Sequence, residues 1–545
     1  MDWMLGFLVA MTVTMALIPP LMQVAGRWQV LDAPGDRKVH STPIPRVGGI
    51  AMAIGLLLGL TLFRDFVQPM PAYLAGVIVL LIFGVIDDRF TLAAGPKFVG
   101  QIVAVLIVMV WGDISISSLT LVDRYELPGW VAAPLTFFFI LGVTNAINLA
   151  DGLDGLAGGT TLLSLSALAL LSLKSGHPFV GAVALTSVGA ILGFLRFNTH
   201  PARVFMGDGG SQLLGFSAGV LSIVLTQEKS SPLSTALPLL LLGVPIIDTL
   251  MVMTRRILAR RSPFAADRNH IHHRLLTYGF DHHEAVVIIY CLQAALFVAA
   301  WFMRFESDLL ILTAFCVYAL IVLVALHWAT RWGWTLRRAA SPEIARGSLS
   351  RMLYWSTRPQ RLPRWALMTV SVTMAIYLLL VGAALPLPSP DVRIMAGVIA
   401  AILLHALVRK WSSESTGWPE KCALYTTIVM AVYFDSQVGA SVSELAPVGE
   451  WIIFIALTLA IVIRLRLSAD RRFRLTSLDV LVVFAALAVP NLPGAFSIPA
   501  VSTSIAKLIA LLYGLESLLG VAGRMWRVPC AACLSLALMC LLRGV

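Results

Sequence analysis

Charge is what this chain has least of. Asp, Glu, Lys and Arg together make up 13% of its 545 residues, against 58% hydrophobic residues. No segment carries the polar surface that a soluble domain of any size needs. Cysteine is sparse as well: Cys291, Cys316, Cys422, Cys530, Cys533 and Cys540 fall mostly in or beside apolar runs, where they act as small hydrophobes rather than a disulfide framework or zinc site. The Cys530-x-x-Cys533 pair lacks the soluble context of redox or metal chemistry. The first apolar run has Asp2 instead of a basic start and no clear small-residue cleavage site, so it reads as a retained helix. No internal repeat links the two halves.

What the chain does have is a series of apolar runs near the length that crosses a bilayer. Helices are predicted near 3–22, 48–63, 71–86, 98–111, 131–147, 160–173, 179–195, 211–226, 234–253, 285–302 and 309–328, about eleven in all. An Arg-rich stretch follows over 329–365, read as a cytoplasmic linker or a segment lying on anionic lipid headgroups. About seven weaker spans come next, near 366–386, 392–408, 422–436, 450–464, 477–493, 501–521 and 528–542. The expected fold class is therefore all-α, a polytopic integral membrane protein. Its expected domains are a core over 1–328, the linker, and a membrane extension over 366–545.

The net charge of +11 sits in short loops between apolar runs, so it reports topology and membrane lipids as partners rather than nucleic acid. Arg27, Arg37, Lys38, Arg46, Arg89, Lys97, Arg196, Arg203, Arg255, Arg256, Arg260, Arg261, Arg268 and Arg274 mark alternate loops as cytoplasmic by the positive-inside rule. Three acidic clusters then fall on that one face. They are Asp87-Asp88, the stretch Asn145 to Gly155 with Asn148, Asp151 and Asp154, and Phe205-Met-Gly-Asp208-Gly-Gly-Ser211. The His-rich stretch Asp267 to Arg274, with His270, His272 and His273, joins them.

Carboxylates beside a bilayer are expensive, which makes the clusters candidate functional sites. A lone Asp pair at a helix end could simply be solvated, and a Gly-Asp-Gly-Gly turn could be only an N-cap. A Gly-rich turn explains the glycines, however, and not four polar side chains in an apolar context. Aspartates so placed suit Mg2+, which takes carboxylate oxygens, keeps waters and is usually shared with phosphates. Beside Lys97, Arg203, Arg268 and the histidines, such a site implies an anionic substrate, most plausibly a diphosphate. The histidines could instead hold zinc with Asp267, although their spacing is not that of a zinc protease.

Taken together and in order, the motifs resemble the polyprenyl-phosphate N-acetylhexosamine-1-phosphate transferases. The resemblance rests on Leu31 to Gly49, Asp87 to Gln101, Asn145 to Gly158, Arg203 to Ser211 and His270 to Leu275, and it covers residues 1 to about 328. His270-x-His272-His273 is more similar to the WecA-like branch, which starts surface polysaccharides such as O-antigen, than to the MraY-like branch of peptidoglycan synthesis. The extension after 328 departs from that pattern.

The resemblance implies an enzyme of the bacterial inner membrane. A polyprenyl (undecaprenyl) phosphate attacks the sugar-linked phosphorus of a UDP-N-acetylhexosamine, releasing UMP, with Mg2+ or substituting Mn2+ as cofactor. It makes Asp208 a direct metal ligand. It leaves Asp87 and Asp88 as metal-shell residues, as bases for the lipid phosphate or, for a covalent route, as nucleophiles. Asn145, Asn148, Asp151 and Asp154 would orient the nucleotide sugar or support the metal. Phe205 would stack on uracil or serve as a core aromatic. Lys97, Arg268, His270, His272 and His273 would contact diphosphate or sugar, and Arg37, Lys38, His40 and Arg46 would contact the lipid phosphate or only fix topology. A homodimer is the assembly suggested by analogy. The competing class is a cation- or proton-coupled transporter, whose acids would sit near the midplane rather than at helix ends.

Overall fold

The computed structural model describes residues 3–32, 43–61, 68–90, 92, 94–120, 124–228, 231–260, 262, 269–335, 361–385, 387–388, 390–409, 417–438, 452–461, 499–519 and 526–543. Among the described residues nine helices are long and apolar enough to cross a membrane, and the chain is an all-α multi-pass membrane protein. Among the described residues the only strands are two short two-stranded ribbons, β1 (Leu31–Asp32) with β2 (Ile44–Pro45) and β3 (Ser118–Thr120) with β4 (Arg124–Glu126). The described residues divide into two units, the first over 3–335 and the second over 361–543.

The first unit holds α1 (Trp3–Ala25), α2 (Gly48–Leu60), α3 (Met70–Phe90), α4 (Ala94–Val110), α5 (Gly129–Ala150), α6 (Leu156–Ser175), α7 (Pro178–Asn198) and α8 (Gly207–Gln227). After these come α9 (Pro238–Leu241), α10 (Gly243–Leu258), α11 (Ile271–Thr277), α12 (His282–Met303) and α13 (Asp308–Arg331). Helix starts follow local chemistry. Asp281 and Glu284 form a reciprocal capping box at α12, and Ser307 accepts the Leu310 amide at α13. Gly155 enters α6 and Gly176 leaves it, both with positive φ.

Helix α8 is the axis of this unit. It is 94% buried over its most apolar stretch, whereas α13 is only 22% buried, which places α8 at the centre and α13 at the rim. Helices α2, α3, α5 and α6 pack on α8. Across α8, about 30 Å from one end to the other at 1.5 Å per residue, the two ends differ in chemistry. At the Gln227 end, the buried Asp308 carboxylate accepts from Thr120 N, Ser234 Oγ, Thr235 Oγ1 and Ala236 N. That carboxylate is satisfied by neutral donors. The Gly207 end gathers the acidic clusters.

One predicted span is corrected. The single helix expected over 234–253 is a short α9 followed by α10, which runs on to Leu258. Pro238 starts the first piece, and Leu242 sits between the two outside helical geometry with φ −117° and ψ 19°. The apolar run hid this break because hydropathy reports length, not backbone continuity.

The second unit contains helices Arg361–Ala383, Pro390–Arg409, Trp418–Val438, Ile452–Ile461, Pro499–Leu519 and Arg527–Leu542. Among these only Trp365–Ala383 meets both the length and the hydropathy of a membrane span. The span expected over 477–493 lies outside the described residues, as does most of the expected linker. Inside this unit Lys507 Nζ meets Asp435 Oδ2 at 2.6 Å, and Tyr425 donates to Glu516.

Candidate active site

The site begins with the way α3 ends and α8 begins. Helix α3 runs through Asp87 and Asp88, which are 3% and 8% exposed, so both carboxylates leave water at the helix terminus. Asp88 Oδ1 accepts the Asp208 N–H at 3.0 Å and Oδ2 accepts the Gly209 N–H at 3.5 Å. Met206, the N-cap of α8, supplies no side-chain cap. Asp88 therefore caps α8 from another helix, and its negative charge meets the positive end of the helix dipole.

Glycines make that approach possible. Gly207 has φ +71°, and a Cβ there would stand 2.3 Å from Asp88 Oδ2. A Cβ on Gly84 would stand 2.1 Å from the Gly209 Cα, so α3 and α8 touch backbone to backbone. On the other side, Gly48 N donates to Phe205 O at 2.9 Å and Gly49 N to Met206 O at 2.8 Å. These contacts fix the Phe205–Asp208 segment against α2.

Lys97, in the first turn of α4, lies between two of the acids. Its Nζ is 2.6 Å from Asp87 Oδ2 and 2.6 Å from Asp208 Oδ2, while Asp87 Oδ1 accepts the Leu92 N–H at 2.8 Å. From α5, Asn148 Nδ2 reaches Asp208 Oδ1 at 3.5 Å and Ser211 Oγ at 2.7 Å. One turn earlier, Asn145 Nδ2 donates to Gln101 Oε1 at 2.7 Å and to Leu141 O at 2.8 Å. Lys97 and Asp208 keep 30% and 31% of their side-chain surface open, which leaves the cluster within reach of a soluble anion.

These residues fit a hard divalent cation. The donor set is carboxylate oxygen from Asp87, Asp88 and Asp208, the kind Mg2+ takes. Moreover, an ammonium group is already drawn between two of those carboxylates, so the pocket favours positive charge at that point.

Asp151 follows α5 and lies in the turn before α6. Its residue surface is open to solvent although its carboxyl is set deep among protein groups. Burial, then the Asp208, Asp88 and Asp154 carboxylates, push its pKa up to about 7. The three acidic clusters thus share one field. Asp154 takes a different direction: its Oδ2 contacts His200 Nδ1 at 2.7 Å and accepts the Ala202 N–H at 3.0 Å. Against the opposing pull of burial, those bonds hold its carboxyl below the usual range.

The histidines divide in the same way. His270 Nδ1 is 2.8 Å from Asp248 Oδ2, and the Ile271 N–H donates to Asp248 Oδ1 at 2.7 Å, so α10 positions the start of α11. His272 packs directly on the turn beside Asp151, where a Cβ on Gly152 would lie 2.3 Å from its Nε2. Burial, and then the neighbouring His273, depress its pKa to about 3, which makes it a neutral imidazole. The ring centroids of His272 and His273 are 4.3 Å apart. Arg274 anchors α11 to α13 through Leu326 O at 2.7 Å and Thr330 Oγ1 at 2.6 Å.

Phe205 is half-buried at the end of the α7–α8 connection, its N–H donating to Pro45 O at 2.8 Å. Arg46 pairs with Asp32, and Arg203 lies 5.9 Å from the centroid of the Phe197 ring. Arg37, Lys38, His40, Asp267 and Arg268 lie outside the described residues.

Several residues position the site in ways the sequence does not show. Asn198 accepts the Gly155 N–H at 2.9 Å and donates to Val204 O at 2.8 Å, tying the α5–α6 turn to the segment before Asp208. Tyr290 donates to Gly155 O at 2.6 Å. Asp248, Ser211 and Gln101 hold His270, Asn148 and Asn145 in turn. The only signal for Asn198 was a polar amide in the last turn of an apolar run. Asp248 and Tyr290 had none, because their partners lie far along the chain.

Comparison with known proteins shows which sequences this chain is similar to. The family model of glycosyl transferase family 4 matches residues 70–226, from the start of α3 almost to the end of α8. The chain is 37% identical over 320 residues to a probable undecaprenyl-phosphate N-acetylglucosaminyl 1-phosphate transferase of Bacillus subtilis, covering 58% of this chain and 88% of that protein. It is 32% identical over 306 residues to the undecaprenyl-phosphate alpha-N-acetylglucosaminyl 1-phosphate transferase of Escherichia coli K12, covering 54% of this chain and 82% of that protein. A decaprenyl-phosphate N-acetylglucosaminephosphotransferase of Mycobacterium tuberculosis is 35% identical over 315 residues, covering 52% and 78% respectively.

Proposed function

Because this chain belongs to glycosyl transferase family 4, we propose that it transfers an N-acetylhexosamine 1-phosphate from a UDP-sugar to a polyprenyl phosphate. The names of its relatives favour N-acetylglucosamine as the sugar and undecaprenyl or decaprenyl phosphate as the acceptor. An oxygen of the lipid phosphate forms a bond to the sugar-linked phosphorus, and the bond from that phosphorus to the bridging oxygen breaks. UMP leaves, and the lipid keeps a diphospho-sugar. Such a product opens the lipid-linked assembly of a cell-surface polysaccharide.

The observation that carries this reading is Lys97 held between Asp87 and Asp208, with Asp88 on the amides of α8. Phosphoryl transfer depends on alignment and on neutralising charge, and this arrangement brings both signs to within 2.6 Å of each other. Asp208, Asp88 and Asp87 would hold Mg2+, with Mn2+ as a substitute, and the Asn148 amide would steady Asp208. When bound, the ion supplies charge neutralisation to the diphosphate. The chain's own groups do the rest. Lys97 can turn from its acids to a phosphate oxygen, since about a third of its side chain is open. Neutral His272 can donate one hydrogen bond and accept another toward the sugar or diphosphate. Asn145 and Asn148, each braced by a partner, keep fixed amide edges on the same side.

One substrate is a lipid and the other is soluble, so the chemistry belongs at a membrane surface. The acids sit at a helix end, with Arg89, Arg196, Arg255 and Arg256 in the last turns of α3, α7 and α10. By the positive-inside rule, those arginines support a cytoplasmic position for that end. A transporter reading would need the acids near the midplane instead. Purified protein given undecaprenyl phosphate, Mg2+ and a panel of UDP-sugars tests the proposal. UMP released with a UDP-N-acetylhexosamine and only with the lipid acceptor supports it, and a folded preparation that releases none with any sugar overturns it.

A further inference from the structure

Asp154 was read as part of the acidic group, yet its partners lie elsewhere. Three segments bring Asp154, His200 and His282 together: the α5–α6 turn, the loop after α7 and the first residue of α12. One ligand atom from each lies within 4.8 Å of the other two. The His200 and His282 rings stack with centroids 4.2 Å apart, and the His283 ring stands edge-on to His200 at 5.0 Å. His282 Nδ1 is buried and has no hydrogen-bond partner among the described residues. Its Nε2 has only the Asp154 carbonyl, at 3.5 Å.

Two imidazoles stacked beside one carboxylate form a nitrogen-rich donor set quite unlike the all-oxygen set around Asp208. Imidazole with carboxylate suits zinc and its neighbours in the transition series, while oxygen donors suit magnesium. We propose that Asp154, His200 and His282 bind one zinc-class divalent ion, with a fourth position left to water. Ligand atoms of a tetrahedral zinc site lie roughly 3.3 Å apart, so the 2.7 Å contact between His200 Nδ1 and Asp154 Oδ2 opens slightly as the ion enters. A metal at Nδ1 leaves the His200 ring proton on Nε2. The ion staples the turn that carries Asp151 to the segment that leads into Asp208, a link that Asn198 already makes through Gly155 and Val204. Its role is to position the site, and its binding does not depend on the transferase reading.

Full-length protein is stripped with a chelator and titrated with Zn2+ against a chromophoric competitor, in excess Mg2+ to occupy the acidic cluster. The expected result is one tightly bound Zn2+ per chain, a higher thermal midpoint, and with Co2+ the strong visible absorption of a four-coordinate nitrogen and oxygen site. His200→Asn and His282→Asn each weaken binding by at least about tenfold, the scale known for disturbing a ligand shell, and abolish that absorption. His177→Asn alters a buried histidine beside Glu228 and leaves both readouts unchanged. Absence of binding in the wild type, or binding that survives both variants and disappears in His272→Asn, overturns the proposal. Should either variant fail to fold, the wild-type Co2+ spectrum decides, since the weak absorption of a six-coordinate oxygen site contradicts it.

Discussion

The two units handle charge in opposite ways. Among the described residues of the second, two polar contacts join groups of complementary character: Lys507 meets Asp435 and Tyr425 meets Glu516. Such pairing answers the local cost of placing polar groups in an apolar unit. In the first unit, Asp87, Asp88, Asp151 and Asp208 are gathered at one end of α8, with Lys97 between two of them. Like charges brought together raise the free energy of the fold, and a cluster of them marks a place where something other than stability is served. The same unit shows the contrast within itself, because Asp308 at the far end of α8 is fully met by neutral donors.

Substitutions can break or sharpen that comparison. The largest effect is expected from Asp208→Asn, which removes the acid shared by Lys97 and Asn148. UMP release should fall by about a thousandfold, the scale for removing one preorganised charged group, with an unchanged thermal midpoint. Lys97→Gln comes next, at about a hundredfold in rate. Because the Asp87 and Asp208 carboxylates then lose their cation, the Mg2+ concentration giving half the maximal rate should fall; a rise would place Lys97 among the groups that recruit the ion. Gly84→Ala forces α3 and α8 apart and should cost roughly 1–3 kcal/mol of stability with partial loss of activity, read by thermal unfolding beside UMP release.

The pH profile follows from Asp151, whose pKa is raised to about 7. UMP release should climb as pH rises through about 7 and Asp151 ionises. A raised carboxyl pKa means that the folded state holds the proton more tightly. The stability contribution of Asp151 is therefore full at acid pH and is lost as pH rises from the ordinary carboxyl range through about 7. Asp151→Asn should flatten both trends. The smallest effect on chemistry is expected from Asp435→Asn in the second unit, which should lower the thermal midpoint, by roughly 1–3 kcal/mol in stability, and leave UMP release unchanged. A loss of release comparable to that of Asp208→Asn would erase the distinction between the units.

Much of the core was legible because its chemistry is written at the ends of apolar runs. Asp87, Asp88, Asn148 and Asp208 stand where helices stop or start, and their convergence follows from helices of similar length sharing one bilayer. What could not be read was which backbone touches which. Gly84 lies inside an apolar run with nothing to mark it as the contact of Gly209, and Asp88 as the cap of α8 joins residues 120 apart in the chain. Asp154 was grouped with Asp151 by proximity in sequence, yet the left-handed Gly155 and the Asn198 bridge turn it toward His200. Periodicity likewise could not show that Pro238 and Leu242 interrupt a helix.

The central claim is that acids from α3 and α8 form one divalent-cation site. Titration of the full-length protein with Mn2+, followed by electron paramagnetic resonance, tests it most directly. The account predicts bound Mn2+ in the wild type, displaced by Mg2+ and lost in Asp208→Asn and in the double variant Asp87→Asn with Asp88→Asn. Wild-type Mn2+ binding in both variants, each folded, would contradict it.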